Sequence, residues 1–318
     1  MEVVISAVLT VVGLIMLCFG GNWLVSGGVA IAKKFRISNL VIGMTVVAYG
    51  TSTPELAASI AAAGEHSAII LGNIVGSNIA NVGMVIGIAS IMVPLLVSKS
   101  VLKKEIPIML GVSFLLVLLS FDGELSLYDG VLLLIGVIIF GYYTYKDVRK
   151  QREKNKESEE ENKEGIKQEK NNVYLKSFGL IGIGIVLLYV GAILTVDNAI
   201  VLAKEFGLSE KIIGLTVIAI GTSLPELITS VIAIRKGHAD IGVGNIIGSN
   251  IYNILMIMGV GAALGGVVIA SDVYVDYTIM IIFSLSLLIA IKTGVINRMM
   301  GVCLTAGYIA YLTVTFFM

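Results

Sequence analysis

Charge is the scarcest commodity in this sequence. Of its 318 residues only 14% are Asp, Glu, Lys or Arg and 57% are hydrophobic, whereas a water-soluble domain carries roughly a quarter charged residues. With a mean hydropathy of +0.96, a soluble globular protein is excluded. Cysteine is nearly absent: Cys18 and Cys303 each fall inside an apolar run, which rules out a disulfide framework and a CxxC metal site, and both read as small packing residues. The two histidines, His66 and His238, stand in short loops with no second histidine at ligand spacing, so they read as solvated loop residues. Trp23, the single tryptophan, reads as packing in the first apolar run. No nucleophile–base pair, glycine-rich phosphate loop or basic nucleic-acid patch is present. An intramembrane enzyme is the rival reading from another class, and it would need an asymmetric catalytic dyad.

Apolar runs near the length needed to cross a hydrocarbon core of ~30 Å recur along the chain. Helices are the expected solution, since no span alternates as a barrel strand would. The pattern predicts an all-α integral membrane protein with ten transmembrane helices, at about 3–31, 39–63, 69–93, 106–121, 129–146, 174–203, 211–234, 240–268, 277–291 and 299–317. Glu2 ahead of the first run is the wrong flank for a secretory signal, so that run is expected to be a true span. Basic residues gather in alternate connections: Lys33, Lys34 and Arg36; Lys99, Lys103 and Lys104; Arg235 and Lys236; Lys292 and Arg298. The connections Gly64–Ala68, Phe121–Tyr128 and Ala270–Val275 contain no Lys or Arg, and the turn between the sixth and seventh spans has only Lys204 and Lys211. The bias predicts a multi-pass cell-membrane protein with the basic loops in the cytoplasm and both termini outside. Residues 147–173 mix Lys, Arg and Glu with almost nothing apolar, and read as a flexible cytoplasmic linker, in part helical.

The sequence also repeats. Ala48-Tyr49-Gly50-Thr51-Ser52-Thr53-Pro54-Glu55 returns as Ala219-Ile220-Gly221-Thr222-Ser223-Leu224-Pro225-Glu226. Gly72-Asn73-Ile74-Val75-Gly76-Ser77-Asn78-Ile79-Ala80-Asn81 returns as Gly244-Asn245-Ile246-Ile247-Gly248-Ser249-Asn250-Ile251-Tyr252-Asn253, identical at eight of ten positions. Upstream, Ala32, Ser38 and Gly43 match Ala203, Ser209 and Gly214 without a gap. The copies divide the chain into a first five-helix repeat, 1–146, and a second, 174–318, with the duplicated cores at about 39–93 and 211–268. An odd number of spans per half inserts the second copy upside down. Two inverted halves meeting near the midplane is the build of a secondary transporter.

What is repeated suits cations. Glu55 and Glu226 are the two glutamates that fall deep inside predicted spans, and ionisable groups at that depth mark ion paths. Together they supply two negative charges, the match for one divalent cation. Ala48, Thr51, Ser52 and Glu55 recur at i, i+3, i+4 and i+7, on one helix face. Pro54 and Pro225, two of only four prolines, disturb the preceding turn and free carbonyl oxygens near Gly50–Thr51 and Gly221–Thr222. Ser77 and Asn81, like Ser249 and Asn253, lie one turn apart and add hydroxyl and amide oxygens. Such hard oxygen ligands suit calcium, and sodium as well. Gly72/Gly76 and Gly244/Gly248 are GxxxG steps that allow close helix approach. Asp197, beside Asn198 and opposite Ser26 in the repeat alignment, is a candidate vestibule residue.

The paired GTSxPE segments, each followed by GNxxGSNIxN, resemble the α-repeats of the cation/calcium exchanger superfamily, and most nearly those of prokaryotic sodium/calcium exchangers. The resemblance covers essentially the whole chain. It implies a ten-helix antiporter with four ion sites among the second, third, seventh and eighth helices. The implied calcium site uses the carboxylates of Glu55 and Glu226 with backbone oxygens of Thr51 and Thr222. The implied sodium sites add Ala48, Ser52, Ser77, Ala219, Ser223 and Ser249, with Asn81 and Asn253 lining the centre. Asn253 departs from some relatives, including potassium-dependent ones, that carry Asp there, and the missing carboxylate argues against potassium co-transport. Calcium/proton exchangers of the superfamily typically show a GNxxE-type segment in place of GTSxPE, which disfavours that alternative. The implied partners are calcium and sodium ions and the lipid bilayer, with no cofactor, nucleic acid or obligate protein partner.

Overall fold

The computed structural model describes residues 2–35, 37–64, 66–98, 100–160, 172–205 and 219–317. Helix dominates them, as it must where backbone groups have no water to bond. In chain order these are α1 (Glu2–Phe35), α2 (Asn39–Thr51), α3 (Thr53–Ala62), α4 (Ser67–Met92), α5 (Ile106–Leu119) and α6 (Leu127–Glu160). The second half brings α7 (Asn172–Glu205), α8 (Ala219–Thr222), α9 (Leu224–Arg235), α10 (Ala239–Gly265), α11 (Val273–Ile291) and α12 (Arg298–Phe317).

Among the described residues, α1, α4, α6, α7, α10 and α11 are the six helices long and apolar enough to cross a bilayer unbroken. The remaining expected spans take other forms. The second is interrupted at Ser52, between α2 and α3, and the seventh at Ser223, between α8 and α9. Residues 206–218, where the seventh was expected to begin, lie outside the described residues. The fourth consists of α5 lengthened by a wider π turn, Val101–Glu105. The last is the 20-residue α12.

One boundary differs plainly from the sequence expectation. Helix α6 runs on to Glu160 rather than ending near residue 146, so the helical part of the expected linker is residues 147–160, continuous with the fifth span. Lys, Arg, Glu and Gln are good helix formers even where no apolar face holds them, and they make up ten of the fourteen residues of that segment. Residues 161–171, the middle of the linker, are outside the described part.

Helices α4 and α10 form the buried centre, with Ile70, Ile74, Ile79, Ile246, Ile251 and Ile254 all fully buried. Helices α1 and α7, at matching places in the repeat, pack on each other through glycines at heptad spacing. A Cβ on Gly13 would meet the Gly191 carbonyl, one on Gly20 the Gly184 carbonyl, and one on Gly27 the Ser177 carbonyl. As the contact climbs α1 it descends α7, so the two helices are antiparallel. Two short antiparallel sheets tie connections together: Leu95–Leu96 pairs with Val295–Ile296, and Glu124–Leu125 with Val267–Val268. Cys18 and Cys303 are exposed on the outer surface, so they do not pack the interior as the sequence suggested. Both are tolerated there because a thiol is nearly apolar.

The second GxxxG step packs against α2. A Cβ on Gly244 would stand 2.7 Å from the Leu40 carbonyl oxygen, and one on Gly248 2.7 Å from that of Met44 and 2.8 Å from the Ala48 Cβ. The positions equivalent to Leu40 and Met44 beside Gly72 and Gly76 are residues 211 and 215, which fall outside the described residues. Gly248→Ala should therefore push α10 off α2 and cost about 1–3 kcal/mol, the usual penalty of overpacking. Gly141→Ala, where a Cβ meets nothing within 4 Å, should be neutral or stabilise by up to about 1 kcal/mol. Thermal unfolding of the two variants in detergent checks the difference.

Candidate ion-binding site

The helix breaks come first, because they place the carboxylates. Ser52 (φ −83°, ψ 8°) and Ser223 (φ −86°, ψ 1°) leave helical geometry at equivalent positions. Pro54 and Pro225 then sit in the first turn of the next helix, where a missing N–H costs nothing. Glu55 and Glu226 follow in the same first turns, α3 and α9, so each carboxylate lies at the positive end of a helix. The interruption sits at the serine, a residue beyond the Gly-Thr turn that sequence spacing indicated.

Both glutamates are fully buried, at 0% exposure, in a chain whose centre is apolar. No ion pair with Lys, Arg or His reaches either among the described residues. Glu226 accepts hydrogen bonds at Oε1 from Ser52 Oγ (3.1 Å) and Ser249 Oγ (3.4 Å). Thr51 Oγ1 donates to the Ala48 carbonyl at 3.2 Å or to Asn245 Oδ1 at 3.1 Å, and lies 3.5 Å from Ser249 Oγ. Thr51 and Ser52 of the first half thus meet Glu226, Asn245 and Ser249 of the second.

On the Glu55 side the equivalent serine-to-carboxylate bonds are not made. Both Glu55 carboxylate oxygens, Glu226 Oε2, the hydroxyls of Ser77 and Ser223, and the Oδ1 atoms of Asn81 and Asn253 are buried without a hydrogen-bond partner among the described residues. Ala48 is buried against α10. Thr222 is half-buried and ends α8, the turn that Ala219 begins and that packs against α4. The described residues contain no group of three His, Cys, Asp or Glu side chains. The arrangement is therefore two carboxylates in a shell of neutral oxygens. Buried polar atoms are rarely left unpaired, and a set made mainly of acceptors is complementary to a cation.

Comparison with known proteins decides the family. The chain matches the sodium/calcium exchanger protein family over residues 5–146 and 176–317. It belongs to that family. The inner membrane protein YrbG of Escherichia coli is 36% identical, over 99% of this chain and 98% of its own length. The sodium/calcium exchanger MaX1 of Methanosarcina acetivorans is 35% identical, over 99% of both chains. A solved structure of the sodium-calcium exchanger NCX_Mj, soaked with 10 mM Na+ and 10 mM Sr2+, superposes with a TM-score of 0.84 at 35% identity, covering 98% of each chain. This family member is accordingly a multi-pass membrane protein, and the relatives named as exchangers are transporters rather than enzymes.

Several polar residues escaped the sequence reading of this exchanger-family chain. Asn73 Nδ2 donates to the Glu55 carbonyl and to Ser59 Oγ, each at 3.1 Å. At the matching place Asn245 Nδ2 donates to Ser230 Oγ at 2.9 Å. Asn78 and Asn250 are almost fully buried between the halves. The signal was present, since all four asparagines are identical between the repeats, but Asn78 and Asn250 sit off the face shared by Ser77 and Asn81. Asp197 is exposed on α7 and Asn198 bonds back to the Leu194 carbonyl. His66 is exposed, while His238 Nδ1 lies 3.4 Å from Asn39 Nδ2.

Removing a buried hydroxyl that has no partner costs little stability. The double variant Ser77→Ala/Ser223→Ala should therefore melt within a few degrees of the parent in sodium- and calcium-free buffer. It should lose much of any upward shift that sodium or calcium produces, because ligand-dependent stabilisation reports affinity. Melting curves against salt, with choline as the control cation, measure both quantities.

Proposed function

We propose that this protein is a secondary antiporter that exchanges sodium for calcium across the cell membrane by alternating access. The observation that carries the reading is the pair of fully buried carboxylates, Glu55 and Glu226, set among neutral oxygens, several of them unpartnered, with no basic side chain paired to them among the described residues. Two ionised groups at that depth need positive charge nearby. Calcium takes six to eight oxygen ligands and tolerates irregular geometry, which fits a shell drawn from several helix ends. Glu55, Glu226 and the backbone oxygens of Thr51 and Thr222 form the proposed calcium site. Ser52, Ser77, Ser223 and Ser249, with the backbones of Ala48 and Ala219, complete the sodium sites, and Asn81 and Asn253 line the centre. The named relatives MaX1 and NCX_Mj, both called sodium/calcium exchangers, support the choice of ions. Asn253 in place of Asp keeps the charge of the site at two and argues against potassium.

The same reading takes the chain as ten spans in two inverted halves, 1–146 and 174–318, joined by a cytoplasmic connection at 147–173, with both termini outside. Its support is the antiparallel packing of the equivalent helices α1 and α7, the matching breaks at Ser52 and Ser223, and the basic connections.

Proteoliposomes loaded with sodium and diluted into sodium-free medium should accumulate calcium-45, and a matched proton gradient should not drive uptake. Uptake driven by protons alone would establish the calcium/proton alternative. Glu55→Gln and Glu226→Gln keep the shape of the side chain and remove one charge. Calcium affinity follows ligand charge, so each should nearly abolish uptake while the protein remains folded. If the glutamates were merely structural, a neutral amide would be tolerated at lower desolvation cost, and normal uptake in either variant would overturn the assignment.

A further inference from the structure

Four buried asparagines join the two halves in a pattern that reads the same from either side. Asn78 Nδ2 donates to the Asn250 backbone carbonyl at 3.2 Å, and Asn250 Nδ2 donates to the Asn78 backbone carbonyl at 3.4 Å. The same two amide nitrogens lie 3.8 Å and 3.6 Å from the sulfurs of Met280 and Met109, weak acceptors at matching places on α11 and α5. The side-chain oxygens then accept from the other pair. Asn250 Oδ1 receives Asn81 Nδ2 and Asn78 Oδ1 receives Asn253 Nδ2, both at 3.0 Å.

An isolated amide can turn over and exchange its oxygen for its nitrogen. These cannot. Turning Asn250 would press its oxygen against the Asn78 carbonyl and the Met109 sulfur, neither of which can donate. With Asn250 fixed, Asn81 has an oxygen opposite it and must offer its NH2 there. What remains to Asn81 is its Oδ1, buried and without a partner, and Asn253 is left the same way by Asn78. A backbone carbonyl, which no rotation can convert into a donor, is thus the root of each chain of orientation.

We propose that Asn78 and Asn250 are positioning residues for ion binding, Asn250 locking the amide of Asn81 and Asn78 that of Asn253, so that each offers oxygen rather than NH2 to the cation. The inference rests on the ion-binding reading above. It adds that ligand orientation is set across the halves: the second half orients a ligand of the first, and the first a ligand of the second.

Double-variant cycles test this in the full-length protein, read as the sodium concentration giving half-maximal calcium-45 exchange and half-maximal thermal stabilisation. Asn250→Ala should raise that concentration roughly fivefold or more, because Asn81 is then free to present NH2. In an Asn81→Ala background it should add less than about twofold, while in an Asn253→Ala background its full effect should persist. For Asn78→Ala the two backgrounds should exchange roles. A structural role would instead lower the melting temperature with effects that add in every background. Where alanine prevents folding, Asn250→Leu and Asn78→Leu, close in volume, run the same cycles. Additive effects throughout, or coupling within one half only, would overturn the relay while leaving the ion site intact. A parent protein that no sodium or calcium stabilises would remove the ion-binding reading and the relay with it.

Discussion

Two buried carboxylates with no basic neighbour among the described residues impose the conditions that the rest of the fold meets. An ionised carboxylate in a medium of low dielectric is too costly to keep unless something compensates it. The chain supplies part of that compensation through its backbone. Breaking two helices at Ser52 and Ser223 puts Glu55 and Glu226 in the first turns of new helices, where unsatisfied N–H groups and the helix dipole favour negative charge. Such breaks are tolerable at membrane depth only when surrounded by protein. That requirement accounts for the central position of α4 and α10 and for the glycines at 244 and 248 that let α10 close on α2. A dipole does not cancel a full charge, and in the proposed exchanger the remainder would be left to the cation.

Much of this could be read from the residues themselves. The duplicated segments pointed to the glutamates and serines that the structure buries together, because polar identity kept twice within apolar runs suggests a shared role. The all-helical, membrane-spanning class followed from the apolar runs. The structure departed from the reading where local chemistry competes with span length. Helix α6 continues through residues 147–160 because charged residues of high helix propensity need no apolar face. The break falls at the serine because proline's ring and missing N–H act on the turn before it, and a one-residue shift leaves no trace in periodicity. Asn78 and Asn250 were passed over for a different reason. Their partners are backbone carbonyls of the opposite half, and a contact between residues 172 apart in the chain cannot be deduced from helical spacing.

The repeat is symmetric in sequence, yet the site is not symmetric in hydrogen bonding. Ser52 and Ser249 both reach Glu226, while Ser77 and Ser223, their equivalents, leave the Glu55 carboxylate without a hydrogen-bond partner among the described residues. For a carrier of the kind proposed, this inequality is required. A site in which both halves were identical would be equally accessible from each side, which describes a leak or a sealed state. Access from one side demands that the halves differ, and a hydrogen bond made in one copy and absent from the other is a small, reversible difference of that sort. A neutral hydroxyl-to-carboxylate bond also competes with a cation for the same oxygen, so ions entering the site displace some of the bonds that hold the asymmetry. Ion occupancy and conformation are thereby linked: whatever binds one arrangement more tightly shifts the population toward it. In the proposed exchanger, sodium and calcium would draw on the same two carboxylates and so exclude each other, since two negative charges cannot neutralise both loads at once. Exchange, rather than co-transport, is what such a proposed shared pair of buried glutamates would permit.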